Sequence, residues 1–551
     1  MALRSCSSDS DIRKGLLLPS HHRTETIKGG WHAAIFIICT EFAEQFSYLG
    51  LSASLITYLT NQIHQPITEA TKNVNTWLGF SSLFPLLGGF IADSYLGRFN
   101  TVVISSFIYL LGLISLTLSV SILKNSKFFF ISLYLMALGD GGHKPCVQTF
   151  AADQFDDKIE DQREAKSSFF NCWYLAIVLA GTSSVFLLSY LQENVGWTVA
   201  FALPLGVWIV ATAVFLLGMK RYTKESPTGS SFSTIGQVLV ASCLKWNLKQ
   251  SPRHAISLYY YGDDDHQIEH TGQLRFLDKA MMMDEHDVSN NTREPWRLCS
   301  MRQVEEVKLV LRLIPVWLTC LMFVVVQNQL STFFIKQGST MNCTIGNFQI
   351  PPASIQGIVG IVILFGVLIY DRLFVPMLRN FTNHPSGITV LQRIGVGLFF
   401  SIINMVVSAL VEAKRIAVAK QYNLVDDPKS TIPMSIWWLL PQYTILGTSD
   451  AFTVVGLQEL FYDQMPEGLR SLGAAAYISL FGVGSFMANA IIDIVIAITS
   501  QVGDKWLVNN LNKAHLDYFY WVLAGLSALN LCVYLKIANG FVYKKSRSEL
   551  K

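Results

Sequence analysis

An all-α polytopic membrane protein, with about twelve transmembrane helices in two six-helix bundles, is the fold class this sequence predicts. The first sign is composition. Hydrophobic residues fill 51% of the 551 positions and charged residues 15%, where a soluble domain carries roughly 25% charged. The second sign is distribution: apolar residues gather into long runs with few charges, and Phe, present 35 times, suits a lipid-facing surface. The third is that basic residues collect at both ends and in one long polar stretch midway. A formal net charge of +3 is too small to point to nucleic acid, so no nucleic-acid partner is expected.

A hydrocarbon core of about 30 Å needs about 20 mainly apolar residues per helix. Such runs occur at 31–60, 75–94, 101–122, 127–152, 167–191 and 198–219, then at 306–335, 353–376, 388–412, 433–460, 467–499 and 516–540. They divide the chain into an N-terminal tail (1–30), a six-helix bundle (31–219), a polar linker (220–305), a second six-helix bundle (306–540) and a C-terminal tail (541–551). Within the linker, Gly272–Met283 reads as a short amphipathic helix and Asp284–Asn291 as a turn.

Orientation follows from the flanking basic residues. Arg4, Arg13, Lys14, Arg23 and Lys28 precede the first run, and Lys544, Lys545, Arg547 and Lys551 follow the last. With an even number of helices both tails and the linker share a side, which the positive-inside rule makes cytosolic. The stretch with Lys414, Arg415, Lys420 and Lys429 is expected as a loop on the other side and runs against that rule. The expected location is the plasma membrane or the vacuolar membrane, with no cleavable signal peptide at the start. Nine cysteines without CxxC spacing argue against zinc or a redox pair, and Cys343 is expected in a loop away from the cytosol, without an internal disulfide. No cofactor and no metal are expected.

Three groups of residues carry the chemistry. Asp93, Gly97 and Arg98, between the second and third runs, combine a carboxylate, a tight turn and a guanidinium, the makings of a charge-assisted gating latch; an ordinary capped turn is the plainer alternative. In the first run, Glu41 and Glu44 are three apart and share a helix face. Ionised groups at that depth need a cavity or a partner, and Lys144 in the fourth run is the natural one; Asp140 and His143 stand nearby. A static ion pair is the alternative to a proton-coupling network. Asp450 interrupts the tenth run among small residues and is the candidate in the second half for meeting substrate or a proton.

Together with Ser167–Tyr174, Arg275–Ala280 and Leu439–Tyr443, these residues resemble the plant nitrate/peptide transporter family (NRT1/PTR), a proton-coupled oligopeptide transporter branch of the major facilitator superfamily, over nearly the whole chain. The resemblance implies a major-facilitator fold whose two halves rock about a central site. It implies proton coupling through Glu41, Glu44, Lys144 and Asp450, and substrate binding by Gln45, Tyr48, Tyr174, Gln327 and Asp450. Gln45 stands where the family has an arginine, and Val178 where peptide-transporting relatives have an asparagine, so dipeptide transport is disfavoured. Gln327 takes the place of the histidine that meets nitrate in a relative, which weakens nitrate without excluding it. Thr101 resembles a phosphorylated position, implying a protein kinase as a regulatory partner; a helix cap is the alternative. Of the sequons at Asn290, Asn342 and Asn380, only Asn342 falls on the non-cytosolic side and is a glycosylation candidate.

The expected function is therefore secondary active transport of a small solute, nitrate or a small organic metabolite, by alternating access and linked to protons. The partners are that solute, protons and the lipid bilayer. The alternatives are a facilitative carrier or exporter without strong coupling, because Gln45 replaces the arginine, and a solute sensor. An enzyme is not expected: no metal-ligand cluster, nucleophile motif or phosphate-cradling loop is present.

Overall fold

The structure, a computed structural model, describes residues 29–155, 160–224, 231–247, 270–283, 294–346, 348–382, 387–428, 430–465, 470–503 and 505–543. The basic residues of both tails, the expected turn at 284–291 and the Asn290 sequon lie outside these residues. In chain order the helices are α1 (Trp31–Asn61), α2 (Ile67–Ile91), α3 (Arg98–Leu118), α4 (Ser126–Ala152), α5 (Glu160–Asn194), α6 (Trp197–Leu217), α7 (Ser231–Leu244) and α8 (Met301–Gln327). They continue as α9 (Phe333–Ser339), α10 (Gly357–Ile369), α11 (Val375–Thr382), α12 (Val390–Gln421), α13 (Leu440–Asp463), α14 (Arg470–Val502) and α15 (Leu516–Asn539). Side-chain caps set several starts: Asn125 accepts from Lys127 N at 2.9 Å before α4, and capping boxes Ser300/Gln303 and Thr389/Gln392 open α8 and α12.

Ten helical stretches among the described residues are long and apolar enough to cross a bilayer. α4 and α13, at 27 and 24 residues, match them in length but not in composition. Their deficit comes from Asp140, His143 and Lys144 in one, and Gln442, Asp450 and Glu459 in the other. α4 packs against α2 and α3, and α13 against α10, α12 and α14. Asp140 and Asp450 are accordingly buried, at 1% and 3% exposure, so protein rather than lipid surrounds them. Close approach makes this possible: a Cβ on Gly88 would stand 1.9 Å from the Gly141 carbonyl oxygen, so α2 and α4 touch at their backbones.

The two halves meet through α2 against α14 and α5 against α10. Lys72 pairs with Asp493 at 2.7 Å, Asn75 donates to Asn489 at 3.0 Å, and Lys336 of α9 donates to Thr60 at 3.1 Å. These residues lie toward the end of α1 opposite Trp31, so that end of the molecule is a closed seam. Two short strand pairs sit there as well, β1 (Met341–Asn342) with β4 (Ile432–Ser435) and β2 (Thr344–Ile345) with β3 (Phe348–Gln349). Cys343 lies between β1 and β2, its thiol near the Gly338 and Met341 carbonyls.

Two expectations need correction. The amphipathic helix expected over Gly272–Met283 is a 3₁₀ segment, Arg275–Met281, and the linker's α-helix is α7 instead. Leu277, Ala280 and Met281 pack with Val238 of α7 and with Val304 and Val307 of α8. Lys308, fully buried, clamps the segment at 2.5 Å from Asp278 and 2.7 Å from Glu305. His270 and both carboxylates come within ligand distance of one another, but the Lys308 ammonium already fills the place of a cation. The second correction concerns Arg415, expected in a loop. α12 continues through Gln421, and Arg415 is buried in it, held by Glu412 at 2.6 and 2.7 Å, Asn512 at 2.9 Å and the Leu511 carbonyl at 2.7 Å. It is a core group, so one of the charges set against the positive-inside rule is not a loop charge.

Candidate functional site

Helix periodicity places Glu41, Gln45 and Tyr48 on adjoining turns of α1, with Glu44 beside them, and Asp140 and Lys144 one turn apart on α4. Lys144 Nζ lies 3.4 Å from Glu44 Oε1 and 3.2 Å from Asp140 Oδ2, with the Tyr48 ring centroid 3.4 Å away. Tyr48 rests on Trp77 at 5.4 Å between ring centroids, and the Trp77 indole is anchored to the Leu133 carbonyl at 3.1 Å. Glu44 and Asp140 are fully buried. Glu41 stands beside them without an ion pair to Lys144; its Oε1 accepts from Gln45 Nε2 at 3.3 Å. The expected trio of Glu41, Glu44 and Lys144 is therefore built as Glu44, Lys144 and Asp140, with Glu41 held by the neutral amide. His143 is turned elsewhere, its ring 5.2 Å from Trp208.

In the second half, α13 and α8 bring Asp450 and Gln327 together: Gln327 Nε2 donates to Asp450 Oδ2 at 3.3 Å. Asp450 Oδ1 has no hydrogen-bond partner among the described residues. Tyr174 of α5 lies within electrostatic reach of both Asp450 and Arg393, and Tyr477 of α14 within reach of Asp450 and Tyr174. Arg393, buried at the base of α12, is 3.4 Å from Glu459 and 4.4 Å from the Tyr370 ring. Tyr174 is thus a residue of the first half that lies near Asp450 of the second. Among the described residues no ion pair joins Lys144 to Asp450. Acids buried inside a helix bundle beside a cation or an amide are groups that can exchange protons.

Arg393 and Tyr477, beside this site, escaped the sequence, whereas Asp140 did not. Asp140, near Lys144 in the sequence, is its i, i+4 partner in the middle of α4. Arg393 and Tyr477 gave no signal, because a single Arg or Tyr near the end of an apolar run is also what an interfacial anchor looks like.

The latch residues come together with a change of partner. Gly97, at φ 75°, turns the chain from α2 into α3, and Arg98 lies 4.0 Å from Asp93 but 2.5 Å from Asp153 at the end of α4. Thr101 Oγ1 donates to the Gly97 carbonyl at 2.9 Å and is buried, so its hydroxyl is turned into the first turn of α3. Asn342 is exposed on the rim of a cavity of about 260 Å³ at the seam, lined from both halves by Ser189, Glu193 and Cys343 among others.

Comparison with known proteins follows the same lines. The family model described as the POT family matches residues 99–508. The chain is similar to Protein NRT1/PTR FAMILY 5.4 of Arabidopsis thaliana, at 54% identity over 533 residues, 94% of this chain and 96% of that protein. It is similar to Protein NRT1/PTR FAMILY 5.10 of the same plant at 45% identity over 540 residues, 94% of each. Among solved structures it resembles an auto-inhibited POT family peptide transporter, with a TM-score of 0.73 and 21% identity over 94% of this chain and 98% of that one.

Proposed function

The chain belongs to the POT family of membrane transporters, and from that premise we propose that it carries a small solute, nitrate or a small organic metabolite, by alternating access linked to protons. The observation that carries the coupling is Lys144 held between two buried carboxylates, Glu44 and Asp140. Titratable groups inside a helix bundle are costly, and they are found chiefly where function retains them. Alternating access is supported by the closed seam at one end, tied by single contacts such as Lys72–Asp493, which a rocking motion can part. Asp450, Gln327, Tyr174 and Tyr48 then line the solute's path. Both tails and the linker face the cytosol on this reading, in a plasma or vacuolar membrane, and Thr101 becomes a kinase target only when the start of α3 opens.

One observation favours a second reading. Gln45 offers Glu41 an amide instead of a cation, which fits a facilitative carrier. Uptake by the full chain in proteoliposomes, screened across nitrate, dipeptides and small plant metabolites with and without an inward proton gradient, separates the two. Uptake that the gradient drives supports coupling; equal uptake without it supports the facilitative carrier; solute binding without uptake supports a sensor.

A further inference from the structure

We infer, resting on the proton-linked reading above, that Asp140 is itself a proton-carrying residue, sharing one proton with Glu44 beside the Lys144 ammonium. The ammonium is 3.2 Å from Asp140 Oδ2 and 3.4 Å from Glu44 Oε1, and the two carboxyl groups are within hydrogen-bond reach of each other. Two carboxylates and one ammonium leave one uncompensated negative charge in a fully buried place. Neither Glu44 oxygen accepts a hydrogen bond, and neither does Asp140 Oδ1, among the described residues. One proton placed between the carboxyl groups supplies the missing donor and brings the trio of Glu44, Asp140 and Lys144 to neutrality. Releasing it breaks one O–H bond, passes the proton to water, and leaves two carboxylates gathered on one ammonium.

The surroundings offer no other counter-charge. From α1, Glu41 is bound to Gln45 and Tyr48 lies over Lys144. From α3 comes Tyr109, uncharged and buried, and from α2 the Ser82 hydroxyl reaches Tyr48. His143, on the same helix as Asp140, is turned to Trp208. Gln45 adds no charge from the α1 side, so a proton is what balances the second acid.

The test needs no substrate. Full-length protein in lipid nanodiscs, in an Asp450→Asn background so that Asp450 is silent, is titrated with pH while infrared difference spectra follow the carbonyl stretch of protonated carboxylic acids. Carbon-13 labelling of aspartate marks the share borne by Asp140. We expect a one-proton component beyond any that Glu41→Gln removes, shifted in part by the label; the outcomes below refer to that component. It is lost in Asp140→Asn and in Glu44→Gln alike, because either variant leaves one carboxylate matched by Lys144. It is kept in Glu41→Gln and recovered in Asp140→Glu. A band that survives Asp140→Asn, or that vanishes in Glu41→Gln, overturns the inference. Should Asp140→Asn not fold, the absence of any isotope shift overturns it equally. Loss of the band in the expected variants together with gradient-independent uptake would leave the shared proton standing and refute only the coupling.

Discussion

Replacing Lys144 with methionine should be the most damaging single change to the α1–α4 cluster, and its size follows from the geometry. The ammonium serves two buried carboxylates at 3.2 and 3.4 Å. At an effective dielectric constant of about 20, a unit pair near that separation interacts by about 5 kcal/mol. Removing one member of a buried pair typically costs about 3–5 kcal/mol, since the partner is left buried and charged. The contact with the Tyr48 ring adds roughly 1–2 kcal/mol. Spread over the unfolding entropy of a 551-residue chain, a loss of about 4 kcal/mol corresponds to a fall of roughly 3–4 °C in melting temperature. Fluorescence-detected thermal unfolding of purified Lys144→Met reads this directly. The triple variant Lys144→Met, Glu44→Gln, Asp140→Asn strands no charge, so it should regain most of that stability and still fail to show gradient-driven uptake. A Lys144→Met protein as stable as the wild type, or a triple variant no more stable than the single one, would refute the ion-pair account.

Asp450→Asn should abolish or uncouple uptake while leaving the fold intact, because the amide keeps the hydrogen bond with Gln327 and loses the charge; unchanged pH-dependent uptake would remove Asp450 from the mechanism. Gln45→Arg should strengthen the pH dependence by placing a cation beside Glu41, and an unaltered pH profile would count against that role. Lys336 lies past the membrane-spanning part of α8, with Thr60 as its hydrogen-bond acceptor, and burial pushes its pKa down to about 8. Between that value and the ordinary 10.5 the folded state binds fewer protons than the unfolded chain, so stability rises with pH across this window and is lowest below it. Lys336→Met should therefore raise stability at pH 7 by roughly 3 kcal/mol and flatten the melting temperature between pH 8 and 10.5; a wild-type slope in the variant would show that another group titrates. Asn342 should be the glycosylated sequon in plant cells, read as a mobility shift that Asn342→Gln removes. A glycan on Asn380 instead would invert the orientation.

The latch and the cluster show how differently the sequence speaks at different ranges. Glu41, Glu44, Lys144, Asp93, Gly97 and Arg98 stood out because charge inside or beside an apolar run is costly, and that cost is visible without knowing any neighbour. Who pairs with whom was not visible. Arg98 chose Asp153 over Asp93, and Lys144 chose Asp140 over Glu41, since distances between helices depend on how closely their backbones pack, as Gly88 and Gly141 do. Arg415 shows the same limit from the other side: a basic residue past an apolar run reads as a loop charge until α12 is found to continue and Glu412, Asn512 and Leu511 are found around it.

By itself the sequence determined the fold class, the family and which ionisable residues lie inside apolar helices, because hydrophobic periodicity and misplaced charge are local properties read one helix at a time. The tertiary structure alone decided which carboxylates share the lysine, which end of the molecule is sealed, and that Gln327 of α8 meets Asp450 of α13. Those are matters of helix rotation and crossing, set by packing between segments tens to hundreds of residues apart, and no run of twenty residues contains them.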